Sequence, residues 1–237
     1  ATQSGGSPPP GMVMIEGGTT WIGKDDKVVL AMGEENQHDF MLTARETPMH
    51  SMRVSDFFLG VTEVTNEQYV EYVKSTGARP PESWGIEAIN EASRAFAEEQ
   101  GRRIKEAVDA GLPRPERGKF DQAAWWRKNW HTVEWAVPRG QETLPVTYVD
   151  YQEAVAYARW AGVRLMTEFE YQRAGRGKSK EFFPWGEAWD PTKCANQALG
   201  QNRPSRVGGF PAGATADGVY DLCGNVWEWT SSPFVAY

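Results

Sequence analysis

Gly218-Val219-Tyr220-Asp221-Leu222-Cys223-Gly224-Asn225-Val226-Trp227-Glu228-Trp229 places two carboxylates on either side of a tight turn. Gly224 and Asn225 are the residue types that turn a chain sharply. Hard cations such as calcium take several oxygen ligands, and a turn of this kind supplies side-chain and main-chain oxygens together. The carboxylates of Asp221 and Glu228, with the carbonyls of Gly224 and Val226, make a candidate calcium shell. If the segment is extended, Trp227 and Trp229 point away from Glu228. Spacing alone favours a plain turn carrying two surface carboxylates.

Upstream of this turn, helix signals recur. Thr65 with Gln68, Asp150 with Glu153 and Thr167 with Glu170 each have the capping-box spacing. The first helix carries Tyr69, Val70 and Val73 on one face and stops at Gly77. The second carries Ala154, Val155, Tyr157, Ala158 and Trp160 and stops at Gly162, and the third reaches Gly175. Met12-Val13-Met14-Ile15 and Arg53–Gly60 read as strands. Residues 24–50 are polar and irregular. Glycines number 24 and tryptophans 11. Short capped helices in glycine- and tryptophan-rich connections describe an α+β fold with much irregular structure.

Residues 80–142 differ from the rest. Ile86, Ile89, Ala92, Phe96, Ile104, Ala107 and Val108 repeat at near-helical spacing, which predicts one or two helices. Residues 101–119 hold six bases and three acids, and Trp125, Trp126, Trp130 and Trp135 follow closely. One reading is a helical excursion whose tryptophans pack inward. The other is a partner-binding module that uses Arg114, Arg117, Trp125, Trp126 and Trp130, since Trp and Arg are enriched at binding hot spots.

The chain of 237 residues has an ordinary globular composition and a formal charge of −7. The first 63 residues contain nine carboxylates and four bases. Nucleic-acid binding normally needs a basic field, so no nucleic-acid partner is expected. No apolar run reaches the roughly 18 residues of a membrane span. Residues 1–10 (Ala-Thr-Gln-Ser-Gly-Gly-Ser-Pro-Pro-Pro) read as a flexible tether before a domain spanning 11–237. That beginning suggests a mature exported protein, periplasmic or on the cell surface. Cys194 and Cys223 form no CxxC pair. One bridge would close a loop of about 30 residues and stabilise by ~3 kcal/mol. The favoured alternative is two buried thiols acting as small hydrophobes. GxxxxGK[ST], GxSxG and HExxH motifs are absent, and His38, His50 and His131 stand apart in sequence.

Seven blocks together closely resemble the sulfatase-modifying-factor, or formylglycine-generating-enzyme, family. They are Gly11–Gly18, Glu46-Thr-Pro-Met-His50, Glu63–Tyr69, Leu144–Val149, Ala154–Glu170, Phe183-Pro-Trp-Gly186 and Gly224–Trp229. The resemblance covers 11–79 and 143–237 and makes 80–142 an insertion. It implies a C-type-lectin-like core. It also implies that Asp221, Gly224, Val226 and Glu228 match the family's calcium ligands. A second family calcium site uses the asparagine matched by Asn196, with ligands from the following loop, which is short here.

The family's enzymes oxidise a sulfatase cysteine with copper held by two cysteines that lie beyond the Trp-Glu-Trp block. Neither Cys194 nor Cys223 matches them, and the family's disulfide positions are Ala158 and Gly175 here. Copper is therefore expected only with a cysteine pair beyond Tyr237. The family fold also takes strands from that region, so a protein partner or a complementary C-terminal chain is expected. The first expectation is an exported, calcium-stabilised, non-catalytic binding or assembly subunit. The second is the N-terminal part of a copper-dependent formylglycine-generating oxidase. A third, an iron-dependent sulfoxide-synthase relative, ranks last because no histidine cluster is present.

Overall fold

The structure is a computed structural model that describes residues 1–3, 6–25, 46–178, 181–197, 200 and 203–233. Most of the polar stretch read at 24–50, including His38, lies outside the described residues. The chain separates into one unit of residues 1–65 with 150–237 and a second of residues 66–149.

The first unit is a mixed α+β domain with two small antiparallel sheets. Strand β1 (Thr2–Gln3) and strand β2 (Met12–Ile15) flank β5 (Phe57–Gly60). Strand β3 (Gly18–Ile22) pairs with β4 (His50–Val54). In β5, Phe57, Phe58 and Leu59 are all buried, the pattern of a strand covered on both faces. The run 53–60, read from the sequence as one strand, is two. It breaks at Ser55–Asp56, where Asp56 Oδ1 accepts the Gly17 N–H at 2.8 Å. A Cβ on Gly17 would stand 2.4 Å from the Val54 carbonyl oxygen, so only glycine fits there.

The leading residues correct the tether reading at their start. Thr2 and Gln3 pair with Phe58 and Phe57, because the open edge of β5 offers unpaired backbone groups. Ala1 is buried in the core and its nitrogen donates to the Arg164 carbonyl at 2.5 Å. That core joins Ile15, Val54, Phe57 and Leu59 from the strands to Met166, Ala174, Val219 and Leu222.

Two helices of this unit begin as the sequence predicts. For helix α4 (Tyr151–Trp160), Asp150 Oδ1 accepts from Glu153 N at 2.9 Å while Glu153 returns a bond to Asp150 N. For helix α5 (Glu168–Arg176), Thr167 and Glu170 close the same box. Arg173 and Arg176 anchor α5 to the strands. Arg173 donates to the Glu16 and Gly17 carbonyls, and Arg176 donates to the Gly23 carbonyl at 3.0 Å.

The second unit is helical: α1 (Asn66–Thr76), α2 (Ile86–Asp109) and α3 (Gln122–Asn129). Helix α1 starts just after Thr65, buries Tyr69, Tyr72 and Val73, and ends at Gly77, whose φ of 69° is left-handed. Trp126 is buried at 2% exposure and its indole donates to the Pro80 carbonyl at 2.8 Å. Trp84 donates to Asn66 Oδ1 at 3.1 Å and stacks on Trp135. These tryptophans hold the unit together from within. No helix among the described residues is long and apolar enough to cross a membrane.

Candidate functional site

The turn at 221–228 is nailed to its surroundings at several points. Tyr220 N donates to the Val61 carbonyl at 2.9 Å, which aligns the entry to the turn with the exit from β5. Asp221 and Asn225 have φ values of 61° and 62°, a strained conformation for non-glycine residues. Each is held there by side-chain bonds. Asp221 Oδ2 accepts the Gly208 N–H at 2.6 Å. Asn225 Oδ1 accepts the Ser205 N–H at 2.8 Å, and its own N–H reaches the Ala195 carbonyl at 3.0 Å. Gly224 has φ 133°, and a Cβ there would stand 2.5 Å from the Ala195 oxygen.

The chain after the turn is not a paired strand, contrary to the extended-strand reading, yet its side chains still alternate. Trp227 is fully exposed and Trp229 half-exposed, whereas Glu228 is partly buried between them.

The structure adds a residue the sequence did not suggest. Glu63 lies beside Asp221 and Glu228. Asn225 Nδ2 donates to Glu63 Oε2 at 3.2 Å, while Glu63 Oε1 is buried with no partner. Burial and the neighbouring Asp221 and Glu228 charges push the Glu63 carboxyl up to about 8. Burial, with Asp221 close by, pushes Glu228 up to about 8 as well. Burial also raises Asp221, against the opposing pull of the Gly208 N–H. Tyr171 donates its hydroxyl to the Leu222 carbonyl at 2.6 Å, and burial beside Glu228 keeps its phenol protonated. Among the described residues no lysine or arginine forms an ion pair with any of these three carboxyls.

The donor set is one of oxygens, with a buried Glu63 oxygen that has no hydrogen-bond partner and carboxyls whose ionisation burial opposes. That chemistry fits a hard divalent cation. Among the described residues no three His, Cys, Asp or Glu side chains are grouped tightly enough to hold a metal by themselves. The calcium shell read from the sequence uses two side chains and two carbonyls, a composition such a side-chain grouping does not address.

Next to the turn lies a cleft of about 590 Å³, lined by Phe182, Phe183, Trp189, Tyr171, Leu222 and Cys223 among others. Lys24 at its rim pairs with Glu46 at 2.8 Å. Phe183 stacks on Trp185 at 5.3 Å, and both rings meet Trp189. Both cysteines are free. Burial raises both thiols, Cys223 up to about 12.

The remaining sequence-predicted residues have contacts of their own. Asn196 Nδ2 donates to the Pro191 and Cys194 carbonyls, both at 2.8 Å, and so pins the turn before it. Part of the loop after Asn196 lies outside the described residues. Arg114 and Arg117 are exposed, and Trp125 and Trp130 are partly buried. Trp126 must be removed from the partner-binding set, because its ring is a core group of the helical unit. His50 Nδ1 lies 3.0 Å from the Pro48 carbonyl, and His131 is exposed.

Residues 2–237 match the sulfatase-modifying factor enzyme 1-like domain. The chain is 34% identical to a hercynine oxygenase of Mycolicibacterium smegmatis over 93% of its own length and 45% of that protein's. It is 30% identical to the formylglycine-generating enzyme of Bos taurus, covering 95% of this chain and 58% of that one. It is 34% identical to the formylglycine-generating enzyme of Mycobacterium tuberculosis, covering 80% and 68%. The chain spans about half the length of the curated relatives it matches, 45%, 58% and 68% of these three.

Proposed function

Because the chain belongs to the sulfatase-modifying factor enzyme 1-like family, we propose that it is a calcium-stabilised binding or assembly domain with a C-type-lectin-like core. Asp221 and Glu228, with the Gly224 and Val226 carbonyls, hold the ion, and Glu63 stands outside that shell as a neighbouring buried carboxyl. The bound cation supplies charge neutralisation and fixes the turn. The chain's own residues present Trp227 and Trp229 outward for a protein partner or a complementary chain.

The observation that supports this reading is the orphaned Glu63 Oε1 beside Asp221 and Glu228. Buried carboxyls without a cation are costly, and a metal bound only by the folded state stabilises it. An exported, periplasmic or cell-surface location suits such a site, because extracellular calcium modules work at affinities of about 10⁻⁴–10⁻³ M. The test is a thermal melt with and without chelator. Chelation should lower the wild-type Tm, and Glu228→Ala should lower it without further loss on chelation. An unchanged wild-type melt under chelator defeats the calcium assignment.

Similarity to formylglycine-generating enzymes favours a second reading, the N-terminal part of a copper-dependent oxidase acting on sulfatase cysteines. Cys194 and Cys223 do not match the family's copper cysteines, so copper enters this reading only through ligands outside residues 1–237. Copper-loaded protein that converts a Cys-x-Pro-x-Arg peptide to an aldehyde supports the oxidase and removes the non-catalytic proposal.

A further inference from the structure

We propose that Cys194 and Cys223 form a two-electron redox site, a dithiol that a disulfide-bearing oxidant entering the neighbouring cleft converts to an intramolecular disulfide. The two residues lie on separate stretches of chain, yet the segments that carry them run side by side. The backbone holds them there. Asn225 N donates to the Ala195 carbonyl at 3.0 Å, which ties the segment after Cys194 to the segment after Cys223. Gly224 presses on the other thiol: a Cβ built there would stand 3.2 Å from Cys194 Cβ and 3.4 Å from its Sγ. Joining the sulfurs of two adjacent, tied segments needs side-chain rotation rather than transport of the backbone.

Access to the two thiols is unequal. Cys194 is 3% exposed. Cys223 is partly exposed and lines the cleft of about 590 Å³. The order of events follows from this. The Cys223 thiol gives up its proton, and its sulfur attacks one sulfur of the oxidant RS–SR. The S–S bond breaks, one RS⁻ leaves and takes up that proton. The Cys194 sulfur then attacks the Cys223 sulfur of the mixed disulfide and displaces the second RS⁻, which takes the second proton. The net change is two protein S–H bonds lost, one S–S bond formed, and RS–SR reduced to two RSH. The site is independent of the cation reading, because neither sulfur belongs to the proposed oxygen shell.

The test treats the reduced full chain with excess dithiobis(nitrobenzoate) at about pH 8.5 over many hours, because burial leaves little of the Cys223 thiol ionised and exchange is slow. Chromophore release and intact mass are read together. The expected result is two equivalents of thionitrobenzoate released per chain, a mass loss of about 2 Da with no retained adduct, and reversal by dithiothreitol. Cys194→Ser should instead keep one adduct, located at Cys223. Cys223→Ser should stay unmodified until denatured. Wild-type protein that retains adducts, or shows no reaction, overturns the proposal. Modification of folded Cys223→Ser as readily as Cys194→Ser overturns the assignment of Cys223 as the entry thiol.

Discussion

Asn225 Nδ2 donates to Glu63 Oε2 at 3.2 Å across 162 residues of chain, and leaves the other oxygen of that carboxyl buried without a partner. One strained turn residue thus positions a carboxyl from the end of the strand region against the turn's own acids. Glu63→Gln removes one titratable carboxyl from the cluster, and with it a negative charge above about pH 8, where the comparison is made. Its Tm in chelator should exceed that of chelated wild type, and the Tm gain on adding calcium should shrink. Differential scanning calorimetry with and without chelator reads both effects, and an undiminished calcium gain removes Glu63 from the site.

Arg164 and Glu170 test a different part of the fold. Arg164 Nη2 lies 2.6 Å from Glu170 Oε1, and Glu170 Oε2 closes the box at the start of α5. Burial would raise the Glu170 carboxyl, but the Arg164 guanidinium and the Thr167 N–H and hydroxyl outweigh it and hold it below its usual range. A depressed carboxyl contributes stability that is full above its unfolded pKa and lost as pH falls through its lower folded value. Glu170→Gln should therefore lose about 1–2 kcal/mol at pH 7, a figure reduced because Arg164 is 41% exposed. The loss should fade in acid below about pH 4. Urea titrations at both pH values check this, and a pH-independent loss contradicts it.

Gly17 and Gly11 should behave oppositely to their appearance in sequence. Both precede or end short strands, and only Gly11 has positive φ, at 74°. Gly11→Ala meets nothing within 4 Å and should cost about 1 kcal/mol from backbone conformation alone. Gly17→Ala drives a Cβ to 2.4 Å from Val54 O and 2.6 Å from Ser55 C. Its cost should exceed ~3 kcal/mol, because backbone must move. Equal unfolding midpoints for the two variants would contradict the packing at the β2–β3 corner.

In the helical unit, Trp126→Ala should cost about 3–5 kcal/mol, since a large buried ring and an indole hydrogen bond are lost. Arg114→Ala and Arg117→Ala should each change stability by less than about 0.5 kcal/mol. A basic partner-binding surface remains testable with the arginine pair alone: loss of pull-down without loss of Tm identifies it, and unchanged capture removes it.

Local signals were legible in the sequence and long-range ones were not. The boxes at Asp150/Glu153 and Thr167/Glu170 involve residues three apart, so the spacing contains the whole interaction. The helices within 80–142 followed from apolar periodicity. Strand β3 escaped notice because Gly-Thr-Thr-Trp-Ile acquires its meaning only opposite β4. The docked start of the chain depends likewise on the free edge of β5. At the site, Asp221 and Glu228 share one turn and could be found by spacing. Glu63 could not, since its approach depends on how Val61 meets Tyr220. The adjacency of the two cysteine-bearing segments was hidden for the same reason. Motif order identified the family, but similarity does not choose among activities. The hercynine oxygenase relative and the mycobacterial formylglycine-generating enzyme are each 34% identical to this chain, so identity alone does not separate them.

The central claim is that the oxygens around Asp221 and Glu228 hold a calcium ion. Isothermal titration of calcium into chelator-stripped protein tests it most directly, with Glu228→Gln as the paired variant. The account predicts one saturable site in the wild type, at or tighter than about 10⁻³ M, and its loss in the variant while both remain folded by circular dichroism. Folded wild-type protein that binds no calcium at about 10 mM, well above that range, would contradict it.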